Sequence, residues 1–272
     1  MSAFDPESLA RQVLAAQDGV HPLTPFTARY PGFSLEAAYD VAARVRRTRA
    51  GAGAVLAGRK IGFTNAAMWA ALGVDFPVWG SMYAHTVVHV AEGEARCSLG
   101  GYMEPRIEPE IVLRFHAVPP ATSDLAKILA CVDGIAHGFE LVQSHFPAWQ
   151  FQAADTVADG ALHGALFVGP FEDPARLGPD LLDKLERFRI ELSCDGVRRE
   201  TGGGANVLGS PLAAMAHLLG VLADRPADEA FQAGELVTTG TLTRAYPVHA
   251  GQTWSTALDG IGLPGLRIAF ED

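Results

Sequence analysis

The segment that decides the fold is EPRIEPEIVLRF, residues 104–115. It ends in the apolar run IVLRF, which is typical of a β-strand. Because side chains at positions i and i+2 point to the same face of a strand, Glu108 and Glu110 are expected to project side by side. Two neighbouring carboxylates repel each other unless one is protonated or a cation lies between them. The segment therefore predicts a strand that carries either a divalent-cation site or a solvated acidic face.

A third carboxylate lies in an apolar segment further along the chain. Glu140 is the one acidic residue in GFELVQSHF, residues 138–146, and a buried lone charge is costly unless it is paired or bound to a cation. Three carboxylates would leave about half of an octahedral coordination shell open for water and substrate, as at many catalytic Mg²⁺ sites. A salt bridge to Arg106 or Arg114 is the alternative explanation for any one of these glutamates.

A lysine occupies a similarly apolar setting in GRKIGF, residues 58–63. The pattern predicts a strand, in which Lys60 either extends its ammonium group to the surface or serves as a polar group inside a cleft. Asp155 and Asp159 form a further acidic pair in a glycine-rich stretch, but that spacing alone is a weak indication of function.

Beyond these segments the sequence predicts an α+β protein. Helical periodicity dominates the first 55 residues, whereas short apolar runs broken by glycine and proline follow and are typical of β-strands. We therefore expect an N-terminal helical portion, residues 1–55, and a larger, mostly antiparallel β domain, residues 56–272. The predicted helices are residues 4–18, 34–50, 123–136 and 210–223.

Composition excludes several classes of protein. Of the 272 residues, 49% are hydrophobic, which is enough for a full core and excludes a largely disordered chain. The net charge of −10 and the lack of a basic stripe exclude a nucleic-acid-binding protein. No apolar run approaches the roughly 20 residues of a membrane span, and the N-terminus is typical of an amphipathic helix rather than a signal peptide. We therefore expect a cytoplasmic protein that binds neither nucleic acid nor membranes.

The order of motifs along the chain resembles the 2-keto-4-pentenoate hydratase / 4-oxalocrotonate decarboxylase family of the fumarylacetoacetate hydrolase superfamily. The resemblance runs from about residue 20 to the C-terminus. The motifs that carry it are, in chain order, PLT, GRKIGFTN, LGVDFPVWGSMY, EPRIEPEIVLRF, GFELVQSHFPAW, DTVADGALHGALFVG and GELVTTGTLTRAYPVHAGQ.

The resemblance implies a fumarylacetoacetate-hydrolase-like fold, with a mixed β-sandwich or β-roll core and an N-terminal helical portion, assembled as a homo-oligomer. It also implies Mg²⁺ or Mn²⁺ bound by Glu108, Glu110 and Glu140. Lys60 matches the family's active-site lysine and Asp159 matches the aspartate of its A-D-N motif, so both are candidate catalytic residues. The candidate substrate-binding residues are Trp79, His145, Trp149 and Thr239.

Three polar positions depart from the family pattern. Family members commonly have an aspartate after the proline, in the motif P-D-F-G. In this chain that position is Val78, and Trp79 follows it. His145 ends the sequence Q-S-H where D-S-R is common, and Gly160 replaces the asparagine of A-D-N. These changes predict a more apolar pocket beyond the metal, where an unpaired substrate carboxylate would cost several kcal/mol. We therefore expect 2-oxo acids with neutral or aromatic tails to be preferred over diacids.

The resemblance implies a lyase, specifically a hydratase that adds water to a 2-hydroxy-2,4-dienoate (a 2-oxo-4-enoate in its keto form). The product is a 4-hydroxy-2-oxo acid, as in the meta-cleavage degradation of aromatic compounds. A 4-oxalocrotonate-type decarboxylase and a C–C hydrolase of an acylpyruvate or diketone are alternatives, because the three reactions share one electrophilic core. An inactive partner subunit is the non-enzymatic alternative, and the presence of Lys60 and the three glutamates argues against it.

Overall fold

The computed structural model describes residues 4–66, 69, 74 and 76–272. Three residues of the motif LGVDFPVWGSMY, at positions 72, 73 and 75, lie outside this described part. The described helices are α1 (Pro6–Gly19), α2 (Phe26–Arg29), α3 (Leu35–Gly51), α4 (Leu125–Leu129), α5 (Ala153–Ala158), α6 (Leu181–Arg187) and α7 (Pro211–Ala223). The strands are β1 (Leu56–Gly62), β2 (Val78–Tyr83), β3 (Val87–His89), β4 (Glu94–Ser98), β5 (Arg106–Phe115), β6 (Val132–Val142), β7 (His163–Val168), β8 (Arg189–Cys194), β9 (Val197–Gly203), β10 (Leu236–Thr241), β11 (Tyr246–Pro247), β12 (Thr253–Asp259) and β13 (Arg267–Glu271).

The two long N-terminal helices begin close to their predicted positions because each has a capping side chain. The carboxylate of Asp5 accepts hydrogen bonds from the amides of Glu7 and Ser8, at 3.1 and 3.2 Å, at the start of α1. Ser34 accepts one from the amide of Ala37 at 3.2 Å, at the start of α3. Such caps satisfy amide groups that have no partner within the helix.

One predicted helix is largely wrong. Of residues 123–136 only α4 is helical, and β6 begins at Val132. The reason is tertiary pairing, because β6 runs antiparallel to β5 over the whole length of that strand. The local periodicity of the segment gave no indication of this partner strand, which is formed by residues 106–115.

The strands form two sheets, and most neighbouring strands are antiparallel. The larger sheet has the order β2-β1-β10-β5-β6-β7-β3, and β11 pairs with β5. The second sheet has the order β4-β13-β12-β8-β9. Parallel pairing occurs between β1 and β10, between β3 and β7, and between β4 and β13. The predicted mostly antiparallel body is therefore confirmed.

The larger sheet curls around its inner face, because side chains from five of its strands meet in one apolar cluster there. This cluster consists of Met82, Val112, Ala136, Leu166, Val168 and Leu236. Alternation along the paired strands places Lys60, Glu108, Glu110 and Glu140 on the same inner face. The outer face packs partly on helices α1, α3 and α7 and partly on the second sheet.

Helix α7 and the turn before it are more apolar than expected. The segment Gly204–Ala223 has a mean hydropathy of 1.5 over a membrane-length window, so by length and composition it could cross a membrane. The prediction that no apolar run approaches the length of a membrane span did not take this segment into account. Half of the window is buried within the protein, and Leu212, Met215 and Leu218 belong to the main apolar cluster. This burial is typical of a core helix of a globular fold.

The N-terminal helices share their core with the sheet. Leu9 and Val13 of α1 and Val41 of α3 lie in the same apolar cluster as Ile61 of β1 and Val237 of β10. The predicted division at residues 55 and 56 falls between α3 and β1, and it stays a prediction.

Candidate active site

The three predicted carboxylates lie together on two neighbouring strands. Glu108 and Glu110 belong to β5, and Glu140 of β6 lies directly opposite Glu108 in the antiparallel register. Their ligand oxygens all lie within 4.8 Å of one another. Same-face alternation along β5 and cross-strand pairing with β6 therefore produce the cluster together.

The cluster leaves two buried carboxylate oxygens without hydrogen-bond partners among the described residues. Glu110 Oε2 accepts a hydrogen bond from the amide of Gly240 at 2.7 Å, but Glu110 Oε1 accepts none. Glu140 Oε1 lies 2.8 Å from His163 Nδ1, whereas Glu140 Oε2 makes no hydrogen bond. Glu140 Oε2 lies against a lysine ammonium instead, so Glu110 Oε1 is the acceptor of the cluster left without any partner among the described residues, which is unusual in a protein interior. Its presence fits a site that receives a cation.

Lys60 of β1 is buried beside the cluster, with only 4% of its surface exposed. Its Nζ lies 3.2 Å from Glu140 Oε2, which makes an ion pair. Burial by itself would lower the pKa of Lys60, but the charges of Glu140, Glu108 and Glu110 outweigh it and the pKa is raised. The structure therefore buries Lys60 beside the carboxylates and does not place it on the surface.

The pKa values of the carboxylates show that the cluster lacks positive charge. Burial raises the pKa of Glu108 to about 7, against the lowering influence of Lys60. The pKa of Glu110 lies well above its ordinary value because of burial and the charges of Glu140 and Glu108. Burial also acts to raise the pKa of Glu140, but Lys60 and His163 outweigh it and the pKa is lowered. One lysine does not balance three carboxylates, so a divalent cation fits this all-oxygen set.

The other predicted catalytic residue, Asp159, lies outside this cluster. Its carboxylate accepts a hydrogen bond from Gln17 Nε2 at 3.0 Å and lies 2.8 Å from His145 Nδ1. Both Asp159 and His145 are buried, and His145 Nε2 has no hydrogen-bond partner in the described part of the chain. Asp155, the other member of the predicted acidic pair, accepts hydrogen bonds from the amide and the hydroxyl of Thr27. It belongs neither to the carboxylate cluster nor to the pair formed by Asp159 and His145.

Comparison with known proteins identifies the family of this chain. The sequence profile of the fumarylacetoacetate (FAA) hydrolase C-terminal family matches residues 77–267. The chain belongs to the fumarylacetoacetate hydrolase family. This membership and the structural likeness described next confirm the predicted fold class.

Two relatives within the fumarylacetoacetate hydrolase family are hydratases. The chain is 29% identical to 2-hydroxyhexa-2,4-dienoate hydratase of Comamonas testosteroni, with 94% of each chain covered. It is 30% identical to 2-keto-4-pentenoate hydratase 2 of Dechloromonas aromatica strain RCB, with 94% of this chain and 95% of the relative covered. A similar solved structure is 4-oxalocrotonate decarboxylase from Pseudomonas putida G7, in complex with magnesium and adipate. That structure has a TM-score of 0.88 and 26% identity, and the match covers 99% of this chain and 100% of that chain.

Two of the predicted substrate-binding residues, Trp79 and Thr239, lie on the outer face of the larger sheet. Trp79 stacks on Tyr39 with ring centroids 5.5 Å apart, and Arg59 lies 4.8 Å from its ring. Thr239 is fully buried and donates a hydrogen bond to the carbonyl of Ile111 at 3.0 Å. These positions favour a role in the core of the fold over contact with substrate.

Trp149, another predicted substrate-binding residue, lies beside Arg106, two positions before Glu108 on β5. The guanidinium carbon of Arg106 is 3.9 Å from the Trp149 ring centroid, and Trp149 Nε1 donates a hydrogen bond to the carbonyl of Glu104 at 3.0 Å. Glu104, Ala148 and Trp149 all have positive φ angles, of 44°, 57° and 57°. Backbone strain of this kind often accompanies functional sites.

The sequence analysis missed His163 and Gly240, which both bind carboxylates of the cluster. His163 opens β7, and its ring reaches Glu140 across the strand pair. Gly240 lies within the register shift in β10 and presents its amide to Glu110. Neither residue shows a recognisable spacing in the sequence. The glycine in TTGT and the histidine at the head of an apolar strand were the available indications.

Proposed function

We propose that this protein is a metal-dependent hydratase. It adds water to a 2-hydroxy-2,4-dienoate to give a 4-hydroxy-2-oxo acid, as in the meta-cleavage degradation of aromatic compounds. The observation that carries the proposal is the cluster of half-buried Glu108 and buried Glu110 and Glu140, with Lys60 beside it. The identity to two hydratases along nearly the whole chain supports the reaction class.

Glu108, Glu110 and Glu140 would hold Mg²⁺ or Mn²⁺. An all-carboxylate set favours these hard cations over zinc. Glu110 Oε1 has no partner in the described part of the chain, and Glu140 Oε2 is paired with Lys60 alone. When bound, the cation would act as a Lewis acid that stabilises negative charge on the 2-oxygen and the carboxylate of the substrate.

Lys60 is the group that moves the substrate proton. Its ammonium group donates a proton to C5, and the resulting amine takes the proton of the 2-hydroxyl, so that the dienol becomes a 2-oxo-3-enoate and the lysine is charged again. The hydroxyl group of a water molecule then adds at C4 of this conjugated enone. The remaining proton of that water goes to C3, which balances the overall hydration. The burial of Lys60 and its ion pair with Glu140 fix the ammonium group at the cluster.

The test is turnover of 2-hydroxypenta-2,4-dienoate by the purified protein with Mg²⁺ or Mn²⁺ and with excess chelator. We expect metal-dependent loss of the dienoate absorbance and formation of 4-hydroxy-2-oxopentanoate, identified by NMR. Absence of turnover by the metal-loaded protein over a panel of 2-hydroxydienoates with different tails would contradict the proposal.

Decarboxylation of a 2-oxo-3-enedioate is the second candidate, and Arg106 favours it. A guanidinium stacked by its face on an aromatic ring keeps its N–H edge available for a carboxylate, and Arg106 is stacked in this way on Trp149. The similar decarboxylase structure contains adipate, a diacid. We nevertheless expect a neutral tail to be preferred, because Val78 and His145 replace residues that are more polar in the family resemblance.

A direct comparison separates the two candidates. Values of kcat/KM are measured for a neutral dienoate and for its analogue with a terminal carboxylate, and CO₂ release is monitored with each. The hydratase proposal predicts higher kcat/KM for the neutral substrate by about 10²-fold, the cost of an unpaired desolvated charge. A clear preference for the diacid, lost in Arg106→Met, would establish the decarboxylase instead.

We also propose that the protein acts in the cytoplasm as a homo-oligomer. The family resemblance supports the homo-oligomer, and the expectation of a cytoplasmic location comes from the sequence pattern.

A further inference from the structure

His163 is held at both ends of its imidazole ring. Its Nδ1 lies 2.8 Å from Glu140 Oε1, and its Nε2 lies 2.8 Å from Thr86 Oγ1. The side chain of His163 is 5% exposed and that of Glu140 is fully buried. The histidine therefore fixes one oxygen of Glu140, while the other oxygen faces Lys60 at 3.2 Å.

Thr86 is itself fixed by the turn between β2 and β3. Its hydroxyl lies 2.9 Å from the carbonyl of Tyr83, and the amide of Tyr83 donates to it at 3.3 Å. Because the turn, Thr86, His163 and Glu140 form one continuous hydrogen-bonded series, the orientation of Glu140 is set from outside the carboxylate cluster. Hydrogen-bonding partners of this kind commonly fix the direction of metal-binding side chains.

A cavity of about 510 Å³ lies on the other side of His163. It is lined by residues of the N-terminal helices, such as Gln17 and Arg49, and by Tyr83, Thr86 and His163. Other residues of its lining, including Asp18, His85 and Val88, are exposed to solvent. A small molecule can therefore reach the position of the His163 ring from the surface.

We propose that His163 is a positioning residue that orients Glu140 for cation binding, and that the cavity behind it admits an imidazole-sized molecule. The proposal rests on the function proposed above, in that the three glutamates bind a divalent cation. Removal of His163 leaves Glu140 Oε1 buried without its partner and free to rotate away from the cluster. Imidazole supplied in solution restores the lost partner through the cavity.

The experiment measures Mn²⁺ affinity by titration calorimetry without substrate. In His163→Gly we expect the affinity to fall by about 10- to 100-fold, the usual effect of losing such a partner, and imidazole to restore most of it. Thr86→Val, which removes the hydroxyl but keeps the shape, is expected to weaken binding less. His163→Asn, which keeps a donor near the Nδ1 position, serves if the glycine variant does not fold, and it is expected to bind better than His163→Leu.

His85→Gly is the matched control, because His85 lines the same cavity and stacks on Tyr83 but does not contact Glu140. We expect this variant to bind Mn²⁺ as the wild type does and to be insensitive to imidazole. Wild-type affinity in His163→Gly, or a loss that imidazole does not reverse, would overturn the proposal, as would equal affinities in His163→Asn and His163→Leu. If the wild type itself binds no Mn²⁺, the proposed function fails instead.

Discussion

At the scale of single residues, the site is defined by an excess of buried negative charge. Three carboxylates share the inner face of the sheet with one lysine, and burial raises the pKa values of Glu108 and Glu110. Both shifts favour the protonated, neutral form of these carboxyl groups when no cation is bound. The fold therefore maintains an arrangement that is unfavourable by itself and becomes favourable when a cation binds.

Lys60→Met tests the role of the lysine within this arrangement. Methionine has a similar length but carries no proton to transfer, so we expect turnover to fall by about 10²-fold or more. Mn²⁺ binding and the fold are expected to persist, because the three carboxylates are unchanged. The measurements are kcat with the preferred dienoate, Mn²⁺ titration and circular dichroism.

Lys127→Met is the control for this variant. Lys127 lies in α4 with its side chain 66% exposed, and among the described residues its ammonium group forms an ion pair with Asp124 at 3.4 Å. We expect it to leave turnover unchanged. Near-normal turnover in Lys60→Met itself would mean that the buried ammonium is structural.

Much of the site could be predicted from residues alone, but its supporting partners could not. The E-x-E spacing on a strand and the apolar surroundings of Glu140 and Lys60 are local features of the sequence. The contact between His163 and Glu140 depends on the register of β6 against β7, which no local pattern encodes. The same limit applies to Trp79, because its apolar side chain looks alike in the sequence whether it faces substrate or the protein core.

At the scale of elements, the end of β10 supports the cluster through its backbone. The register between β10 and β5 shifts between Thr238 and Thr241, and Gly240 within this shift has a φ of 104°. Its amide reaches Glu110 Oε2 at 2.7 Å. A side chain at this position would collide with Thr64. The glycine therefore permits both the backbone conformation and the hydrogen bond.

Gly240→Ala is expected to weaken Mn²⁺ binding by at least about 10-fold, since it displaces a partner of a cation-binding side chain. It is also expected to lower stability by about 1–2 kcal/mol through its positive φ. Gly234→Ala is the matched control, because Gly234 has a φ of 92° with open space around it. The control should lose stability but keep its affinity. Equal Mn²⁺ affinities in the two variants would show that Gly240 serves only the backbone.

Elements were predicted well where local chemistry decides them. Capping residues and apolar periodicity placed α1 and α3 to within two residues at each boundary. The predicted helix over residues 123–136 failed because long-range pairing with β5 overrides the local pattern in β6. Propensity is a weak guide wherever a strand gains its stability from a distant partner.

At the scale of the whole molecule, the inner face of one sheet carries the carboxylate cluster while its outer face packs on the rest of the protein. The helices of the first 51 residues and the second sheet cover that outer face. This arrangement leaves the carboxylates on a central pair of strands, β5 and β6. The order of motifs predicted the fold class, but the strand order and the parallel pairs at β1–β10 and β3–β7 came only from the structure.

The most direct test of the account is the stoichiometry and affinity of Mn²⁺ binding in four single variants. These are Glu108→Gln, Glu110→Gln, Glu140→Gln and, as an exposed control in the turn after β3, Glu92→Gln. The account predicts one site of wild-type affinity in Glu92→Gln. It predicts a loss of more than about 100-fold in each of the other three, because even an outer partner of a ligand costs 10- to 100-fold. Wild-type affinity in all three of those variants would contradict the assignment of the metal centre.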